Sequence, residues 1–427
     1  MPTNFIEELR WRGMVQDIMP GTEEQLSKEM TTGYVGFDPT ADSLHVGNLL
    51  PITLLMHMQR SGHRPIALVG GATGMVGDPS GKSAERNLLD EETLAHNIAE
   101  QTAQLEKFLD FDKSKDNGAL LVNNYDWMKK FSFIEFIRDV GKHITVNYMS
   151  AKDSVKKRVE TGLSFTEFSY QLLQGHDFVH LYKTLDCKLQ MGGSDQWGNI
   201  TTGTELIRRM TGGNAFAFTC PLLTKADGGK FGKTESGTVW LDPEKTSPYE
   251  FYQFWLNASD EDAKKLIRFY TFLDKETIER IEAEHNEAPH LRILQNAIAD
   301  DVTARVHGEE ALKTAKLATK ILFSKSTEED LKQLTNEQFL SIFDGVQQAT
   351  VEKSKIDEGL SIVQALASET GFLKSNGEAK RELKGNAISV NKAKVKEDFM
   401  ITPEQLINDR FVLLGKGKKN NYILVAE

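Results

Sequence analysis

The chain has 427 residues, of which 39% are hydrophobic and 26% are charged. This composition is ordinary for a soluble globular enzyme, and the length suits about two or three domains. No apolar run reaches the ~18 residues that a membrane-spanning helix needs, and residues 1–12 lack the apolar core of a signal peptide. We therefore expect a cytoplasmic protein without a membrane partner, in which Cys187 and Cys220 are reduced and structural.

The net charge of −11 is unevenly distributed along the chain. Residues 374–427 contain 11 Lys and Arg but only 7 Asp and Glu, so this segment carries +4 and the remainder carries −15. A basic C-terminal module on an acidic body suits local contact with the phosphate backbone of a nucleic acid. Chance clustering on a solvated face explains the same pattern, and charge alone favours that alternative.

The N-terminal half alternates short apolar runs with helical patterns. Residues 34–37 and 66–69 are predicted to be buried strands, because each run ends in turn-forming residues. Residues 46–58 are apolar on most faces and predict a helix, in which Pro51 is tolerated if it lies in the first turn. Strand, helix and strand form the βαβ unit of a parallel sheet. Because ligands bind at the carboxyl ends of such strands, we expect functional residues just after Phe37 and Val69.

The C-terminal half begins with a predicted helical domain at residues 246–345, where no strand run is convincing. The segments with the clearest helical spacing are 248–256, 260–273, 275–285 and 328–340. A polar stretch at residues 347–357 is predicted to be a linker. The residues beyond it combine a short helical pattern with three strand runs, at 387–390, 411–414 and 422–425. They predict a small α+β module.

The first segment with candidate chemistry, residues 38–48, leaves a predicted strand and enters a predicted helix. The free N–H groups and the positive dipole end at a helix start suit a phosphate. His45 adds a side-chain donor, and Gly47 lacks a Cβ where a nucleotide could come close. Taken alone, a surface turn with a hydrogen-bonded imidazole explains this segment better.

The second segment, residues 70–83, is rich in glycine and follows a predicted strand. A P-loop would need glycine at position 76, but the chain has Val76, and Gly77 leaves one residue too few before the Gly-Lys-Ser sequence. The P-loop interpretation therefore fails. Lys82 and Arg86 are four residues apart, so a helix would place both cations on one face, where they could hold pyrophosphate. An exposed, solvated pair is the alternative.

Two further segments combine polar side chains with apolar neighbours. Tyr170, Gln174 and Asp177 share one stripe of a predicted helix. They could line a pocket for a polar ligand, although such a stripe is usually the exposed face. In the glycine-rich segment 190–199, Asp195 could accept hydrogen bonds from ribose hydroxyls. A polar turn explains that segment equally well.

The fifth segment, residues 230–234, has the sequence Lys-Phe-Gly-Lys-Thr and follows Asp-Gly-Gly. Two lysines and a hydroxyl around a flexible glycine could close over a phosphate chain and stabilise the charge of a transition state. On its own, such a loop is more often simply solvated.

Together, the five segments resemble the class I aminoacyl-tRNA synthetases, and specifically the bacterial tyrosyl family. Residues 45–48, His-Val-Gly-Asn, resemble the first class signature, usually His-Ile-Gly-His. Residues 230–234 resemble the second, usually Lys-Met-Ser-Lys-Ser, and lack its middle serine. The strings at 34–40, 170–177, 190–199 and 247–253 are similar to those of the tyrosyl family, and residues 380–395 more loosely resemble an S4-type RNA-binding module. The resemblance covers almost the whole chain, with Asn48 in place of the final signature histidine.

The resemblance implies an α/β fold with a Rossmann-like parallel-sheet catalytic domain, then a helical domain and a small α+β S4-like module. The implied boundaries are a catalytic domain at 1–223, a signature loop at 224–245, a helical domain for the anticodon region of tRNA at 246–345, a linker at 346–356 and an S4-like RNA-binding domain at 357–427.

The resemblance also implies a role for each matched residue. Tyr34 and Asp177 would bind the phenolic hydroxyl of tyrosine. The rest of the tyrosine site would place Asp78, Tyr170 and Gln174 at the ammonium group, Gln190 near the ring and Gln196 near the carboxylate. The implied ATP-binding residues are Asp38, Gly47, Asn48, Gly193, Asp195 and Lys233. The implied catalytic residues, which would stabilise the α-phosphate and the departing pyrophosphate, are Thr40, His45, Lys82, Arg86, Lys230, Lys233 and Thr234.

The implied activity is tyrosine–tRNA ligation: ATP activates L-tyrosine, and the 2′-hydroxyl of the terminal adenosine of tRNA(Tyr) then takes the tyrosyl group. The tyrosine carboxylate is the nucleophile, so catalysis needs positioning and cationic stabilisation rather than a protein base. Mg²⁺ would accompany ATP as part of the substrate, without a dedicated protein metal site. The family also implies a homodimer, with apolar residues in 131–165 as a candidate interface.

Three alternatives remain. A tryptophanyl-type synthetase would not need the pair Tyr34 and Asp177. A catalytically degenerate RNA-binding relative would have lost the signatures, which are present in this chain. A P-loop ATPase or kinase would hydrolyse ATP without an amino acid, and the one-residue mismatch argues against it.

Overall fold

The computed structural model describes residues 4–80, 89–153, 155–156, 162–226, 228–229, 231–234, 237–323, 327–343, 346–417 and 420–427. Two compact units, Met1–His307 and Gly308–Glu427, make up the chain. This division falls inside the region predicted to be one helical domain. The helices after residue 307 share a core with the C-terminal strands, in which Phe339 stacks on Phe411. The predicted domain boundaries stay a prediction.

The first unit is built around a parallel five-stranded sheet with the order β3-β2-β1-β4-β5. The central strand β1 pairs with β2 on one side and with β4 on the other, so the strand order reverses between β1 and β4. The strand bounds are β1 Thr32–Phe37, β2 Arg64–Val69, β3 Leu120–Asn123, β4 Cys187–Gly193 and β5 Phe216–Cys220. The parallel sheet and the strands predicted at 34–37 and 66–69 are confirmed.

Helices surround this sheet and continue beyond it in the first unit. Their bounds are α1 Phe5–Arg12, α2 Thr22–Lys28, α3 Leu49–Arg60, α4 Gly71–Gly74, α5 Glu91–Leu105, α6 Tyr125–Met128, α7 Phe133–Asp139, α8 Val146–Ser150, α9 Phe165–Leu185, α10 Trp197–Thr211, α11 Pro248–Leu256, α12 Asp260–Tyr270, α13 Lys275–Glu287 and α14 Ile293–His307. A short hairpin, β6 Lys233–Thr234 and β7 Gly237–Thr238, lies between β5 and α11. Pro51 is the third residue of α3, so it occupies the first turn as the sequence required.

Local capping explains where two of these helices begin. Ser164 and Glu167 form a capping box at the start of α9, and the left-handed Asp186 ends that helix. Ser247 and Glu250 form another at the start of α11, which has Pro248 in its first turn. The helix predicted at 248–256 is therefore confirmed to the residue. The one predicted at 260–273 ends earlier, at Tyr270.

The second unit contains a mixed sheet with the order β11-β10-β13-β14-β8. The strand bounds are β8 Gln348–Val351, β9 Leu360–Ser361, β10 Ile388–Val390, β11 Ala393–Lys394, β12 Met400–Ile401, β13 Phe411–Lys416 and β14 Asn420–Ala426. The helix bounds are α15 Glu309–Phe323, α16 Glu328–Lys332, α17 Asn336–Ile342, α18 Lys353–Asp357, α19 Ile362–Gln364 and α20 Asn376–Lys384. The three strands predicted near the C-terminus correspond to β10, β13 and β14, and the α+β module is confirmed.

Two details of this unit differ from the sequence expectations. The stretch predicted to be a linker forms β8 and α18, because β8 pairs in parallel with β14, a partner remote in sequence. The single helical segment predicted at 328–340 is divided into α16 and α17, because Thr335 caps a new helix with Gln338. In the described part of the chain, no helix is long and apolar enough to cross a membrane.

Candidate active site

A cavity of about 430 Å³ opens at the carboxyl ends of β1 and β4, where the strand order reverses. Such a switch point is the usual ligand crevice of an open α/β sheet. The predicted site residues that line it are Tyr34, Asp38, Thr40, His45, Gly47, Asn48, Asp78, Tyr170, Gln174, Asp177, Gln190, Gly193, Asp195 and Gln196. Lys82, Arg86 and Lys230 lie outside the described residues, as do the side chains of Lys233 and Thr234.

Asp177 is a buried carboxylate at this cavity, with 2% of its surface exposed. Asn124 Nδ2 donates to its Oδ2 at 2.9 Å, and Trp127 Nε1 donates to its Oδ1 at 2.8 Å. Burial raises the pKa of Asp177 to about 7, against the opposing effect of these two hydrogen bonds. Each carboxylate oxygen keeps a lone pair for a ligand.

Tyr34 faces the same cavity, and its hydroxyl is a buried polar atom without a hydrogen-bond partner among the described residues. Burial and the nearby charge of Asp177 raise the pKa of this phenol well above its usual value. Gln190 Oε1 also lacks a partner in the described structure. Buried polar atoms are rarely left unpaired, because each unpaired atom costs roughly 1–3 kcal/mol. This end of the cavity is therefore suited to a ligand with a polar tip.

A second network fixes Asp38, which follows β1 directly. Tyr170 Oη donates to Asp38 Oδ2 at 2.9 Å, and Thr73 Oγ1 donates to Asp38 Oδ1 at 2.8 Å. Asn124 Nδ2 also donates to Thr73 Oγ1 at 3.1 Å, so the networks around Asp38 and Asp177 are joined. Burial and the charge of Asp38 raise the pKa of the Tyr170 phenol well above its usual value, so Tyr170 is a neutral donor.

A third network holds Asp78 against the start of α10. Gln196 Nε2 donates to Asp78 Oδ2 at 2.6 Å, and Ser80 N donates to Asp78 Oδ1 at 3.0 Å. Asn199 Nδ2 donates to Gln174 Oε1 at 3.1 Å and lies 3.5 Å from Asp78 Oδ1. The Asn199 amide thus lies between the polar stripe of α9 and the glycine-rich segment after β2, which contains Asp78.

Asp195 shares this region of negative charge. Burial and the charge of Asp78 raise the pKa of the Asp195 carboxyl above its usual value. An electronegative wall of this kind is suited to a cationic group or to hydroxyl donors.

The first signature also lines the cavity, and its residues Val46–Asn48 form a 3₁₀ turn that leads directly into α3. His45 Nδ1 accepts from Gly47 N at 3.0 Å, and Asn48 Oδ1 accepts from His45 N at 3.0 Å. When neutral, His45 therefore carries its ring proton on Nε2. An added Cβ on Gly47 would lie 2.8 Å from His45 Cε1, so the close neighbour that requires glycine is this imidazole. The nucleotide contact that the sequence suggested for Gly47 stays a prediction.

The second signature packs directly on the first, although about 185 residues separate them in sequence. Val239 N donates to Gly232 O at 3.1 Å, and Val46 N donates to Val239 O at 3.0 Å. Gly232 has a φ of +83°, and an added Cβ would lie 2.8 Å from Val46 Cγ2. Phe231 lines the cavity and stacks on Tyr270, with ring centroids 5.7 Å apart. Backbone hydrogen bonds thus hold the loop at the start of the helix.

Comparison with known proteins gives the family. The model described as "tRNA synthetases class I (W and Y)" matches residues 26–324, and the model described as "Tyrosine--tRNA ligase SYY-like C-terminal domain" matches residues 338–425. A tyrosine–tRNA ligase from Flavobacterium johnsoniae is 62% identical over 426 residues, covering 99% of each chain. The chain belongs to the tyrosine–tRNA ligase family. The resemblance noted in the sequence is confirmed.

Other members of the tyrosine–tRNA ligase family agree in length and fold. A relative from Bacteroides fragilis is 59% identical over 429 residues, which cover 99% of this chain and 100% of the relative. The crystal structure of a C-terminally truncated mitochondrial tyrosyl-tRNA synthetase from Aspergillus nidulans superposes with a TM-score of 0.67 at 31% identity. That match covers 75% of this chain and 94% of the truncated enzyme.

Four residues that organise the cavity were not predicted from the sequence. They are Thr73, Asn124, Trp127 and Asn199. A signal for Asn124 was present, because the apolar run 119–122 ends in two asparagines and forms β3 next to β2. Reading that run as a third parallel strand would have placed Asn124 at the ligand-binding edge of the sheet. Asn199 belongs to the glycine-rich segment 190–199, in which only Asp195 was given a role from the residue pattern.

Among the described residues, no group of three or more His, Cys, Asp or Glu side chains could hold a metal ion.

Proposed function

We propose that this chain activates L-tyrosine with ATP in the described cavity and transfers the tyrosyl group to the 3′-terminal adenosine of tRNA(Tyr). The observation that carries the proposal is that one cavity presents both the Tyr34 hydroxyl, which has no hydrogen-bond partner among the described residues, and the buried Asp177 carboxylate. Family membership supports the same reaction.

The phenolic hydroxyl of tyrosine would donate to Asp177 and accept from Tyr34. This arrangement satisfies a buried donor and a buried acceptor at once. Phenylalanine would leave the Tyr34 hydroxyl unpaired, at a cost of roughly 1–3 kcal/mol. It would also lose the hydrogen bond to Asp177, which would keep its bonds from Asn124 and Trp127. The polar end of the cavity therefore selects tyrosine over an amino acid that lacks the hydroxyl.

The remaining polar groups suit the backbone of the amino acid. Asp78, Tyr170 and Gln174 would bind the ammonium group, because a carboxylate and two further oxygens offer three acceptors to its three N–H donors. Gln196 would lie near the substrate carboxylate and Gln190 near the ring. The hydrogen bonds among Asp78, Gln174, Gln196 and Asn199 support this assignment, because they fix these groups before the substrate arrives.

ATP would occupy the end of the cavity at the helix start. The residues proposed to bind adenosine are Asp38, Gly47, Asn48, Gly193 and Asp195. The residues proposed to bind the phosphates are Thr40, His45, Lys82, Arg86, Lys230, Lys233 and Thr234. The docking of Gly232 on Val46 supports a phosphate site, since it brings the second signature to the N-terminal end of a helix, where the helix dipole favours an anion.

In the first step, a carboxylate oxygen of tyrosine attacks the α-phosphorus of ATP, and pyrophosphate leaves with Mg²⁺. The tyrosine carboxylate is itself the nucleophile, so no side chain has to remove a proton. The proposed role of the chain is to align the two substrates and to offset the charge that grows on the phosphoryl oxygens.

In the second step, the 2′-hydroxyl of the terminal adenosine of tRNA attacks the carbonyl carbon of tyrosyl-adenylate, and AMP leaves. We propose that the C-terminal unit binds tRNA(Tyr), because its family match is the C-terminal domain of tyrosine–tRNA ligases and residues 374–427 carry +4. Translation takes place in the cytoplasm, so we propose that location.

We also propose that the enzyme works as a homodimer. Large apolar side chains are exposed near α7 and at the starts of α8 and α9, and an exposed apolar patch commonly marks an interface. They are Phe133, Ile134, Ile137, Val146 and Phe165, with exposed fractions of 46–71%. This patch lies in the segment 131–165 that the sequence indicated.

ATP–pyrophosphate exchange with each of the twenty amino acids tests the proposed function. Exchange with tyrosine alone is the expected result. Exchange with tryptophan would keep the class of enzyme and overturn the assignment of Tyr34 and Asp177. No exchange with any amino acid, in well-folded protein, would indicate a degenerate RNA-binding relative.

A further inference from the structure

Trp127 is attached to α9 at two points that lie one helical turn apart. Its Nε1 donates to Asp177 Oδ1 at 2.8 Å. The face of its indole stacks on His180, with ring centroids 4.3 Å apart and an interplanar angle of 13°. Asp177 and His180 are three residues apart, so both project from the same face of α9. The helix therefore holds both the edge and the face of one indole ring.

Trp127 also packs in the core around β1 and β2, but its own helix restrains it little. It belongs to α6, a helix of only four residues that follows β3. One turn of helix has little stability of its own, so the position of the indole depends on its side-chain contacts. The ring is buried with 7% exposed, whereas the His180 imidazole that covers it is only partly buried.

We infer that His180 is a positioning residue for substrate selection, acting through Trp127 on the Asp177 carboxylate. This inference rests on the proposed function, in which Asp177 accepts a hydrogen bond from the phenolic hydroxyl of tyrosine. When His180 holds the indole in its plane, the Nε1–H group stays aligned with Asp177 Oδ1. The second lone pair of that oxygen then points in a fixed direction for the substrate.

Among the described residues, Trp127 is the one aromatic ring that the His180 imidazole contacts. Within the described residues, no hydrogen bond joins its imidazole to another group. Burial and the charge of Lys130 lower the pKa of His180. His176 is the other titratable group that interacts electrostatically with His180. An uncharged aromatic ring that stacks on Trp127 should therefore be able to take the role of His180.

The test measures kcat/KM for tyrosine and for phenylalanine in ATP–pyrophosphate exchange with the full-length enzyme. His180→Ala should lower kcat/KM for tyrosine about 3- to 10-fold, the range expected for loss of one aromatic stack. The value for phenylalanine should not change, because that substrate makes no bond to Asp177. His180→Phe should restore the wild-type ratio. Lys183→Ala, an exposed change on the same helix, should leave the ratio unaltered.

A double-mutant cycle with Trp127→Phe separates this role from a general loss of structure. Trp127→Phe removes the N–H donor but keeps a ring, so His180→Ala should cause no further change in the ratio in that background. Equal losses for both substrates, an unchanged ratio, or the same effect with and without the indole N–H would each overturn the inference. Failure of the wild-type enzyme to use tyrosine would instead overturn the proposed function.

Discussion

Substitution of Gly232 tests whether contact between the two signatures is needed for catalysis. Gly232 adopts a φ of +83°, and a Cβ at this position would lie 2.8 Å from Val46 Cγ2 and 3.6 Å from Gly47 N. Val46 is fully buried and begins the helix at which the phosphates are proposed to bind. Because a buried side chain in a close-packed interior yields little, Gly232→Ala should push the loop away from Val46.

The substitution has two separate free-energy costs. A left-handed backbone costs an alanine about 1–2 kcal/mol, whatever its surroundings. Overpacking against Val46 adds about 1–3 kcal/mol. If all of the overpacking opposes the docked loop, kcat should fall about 5- to 150-fold, since 1.4 kcal/mol corresponds to a factor of ten.

Gly228 provides a matched control in the same loop. Its φ is +82°, and an added Cβ would have no atom of a described residue within 4 Å. Gly228→Ala therefore carries the backbone cost without the contact with Val46. The measurements are kcat and the KM for tyrosine in ATP–pyrophosphate exchange, together with thermal unfolding to verify the fold.

Gly232→Ala should lose kcat with little change in the KM for tyrosine, because Tyr34 and Asp177 lie on β1 and α9 rather than on the loop. Gly228→Ala should stay close to the wild-type rate. Equal losses in the two variants would refute the reasoning, because only backbone strain is common to both. A fully active Gly232→Ala enzyme would refute it as well.

Four further predictions concern the pocket and the surface. Asp177→Ala should lower kcat/KM about 10- to 100-fold for tyrosine but not for phenylalanine; an unchanged selectivity would contradict the pocket assignment. The pKa of Asp177 is raised to about 7 by burial, so this group's stabilisation of the ligand-free protein is present below pH 4 and is lost as the pH rises to about 7. Thermal unfolding between pH 5 and 8 should show this loss, and Asp177→Asn should remove it. Asn199→Ala should raise the KM for tyrosine roughly 5- to 50-fold, since it frees Gln174 and Asp78; a purely kcat effect would argue against this. Ile134→Glu, at a site 71% exposed, should yield monomers in sedimentation experiments, and a persistent dimer would place the interface elsewhere.

Local patterns in the sequence were sufficient to locate most of the elements that carry the site. The apolar runs that became β1 and β2 were recognisable because turn residues follow them. Helix α11 was predicted to the residue because its cap and Pro248 are both local signals. The stripe on α9 was also predictable, since the helical repeat alone brings Tyr170, Gln174 and Asp177 to one face.

Contacts between distant segments were not predictable in the same way. The stretch expected to be a linker forms β8, because its backbone groups pair with β14. No local pattern in the sequence indicates that β14 is its partner. Asn124 and Trp127 were missed because their importance comes from Asp177, which is about 50 residues away in sequence. A side chain's role in such a network depends on which polar atoms the fold brings within hydrogen-bond distance.

The sequence by itself determined the family, the order of the signatures and the parallel sheet, because each depends on residue types at short, fixed spacings. Only the tertiary structure decided that Gly47 is required by the imidazole of His45, that Gly232 rests on Val46, and that Asp177 is held by two donors from a neighbouring element. These contacts depend on distances of a few ångströms between segments far apart in the chain. Such distances are set by the packing of the whole unit, and no spacing along the sequence encodes them.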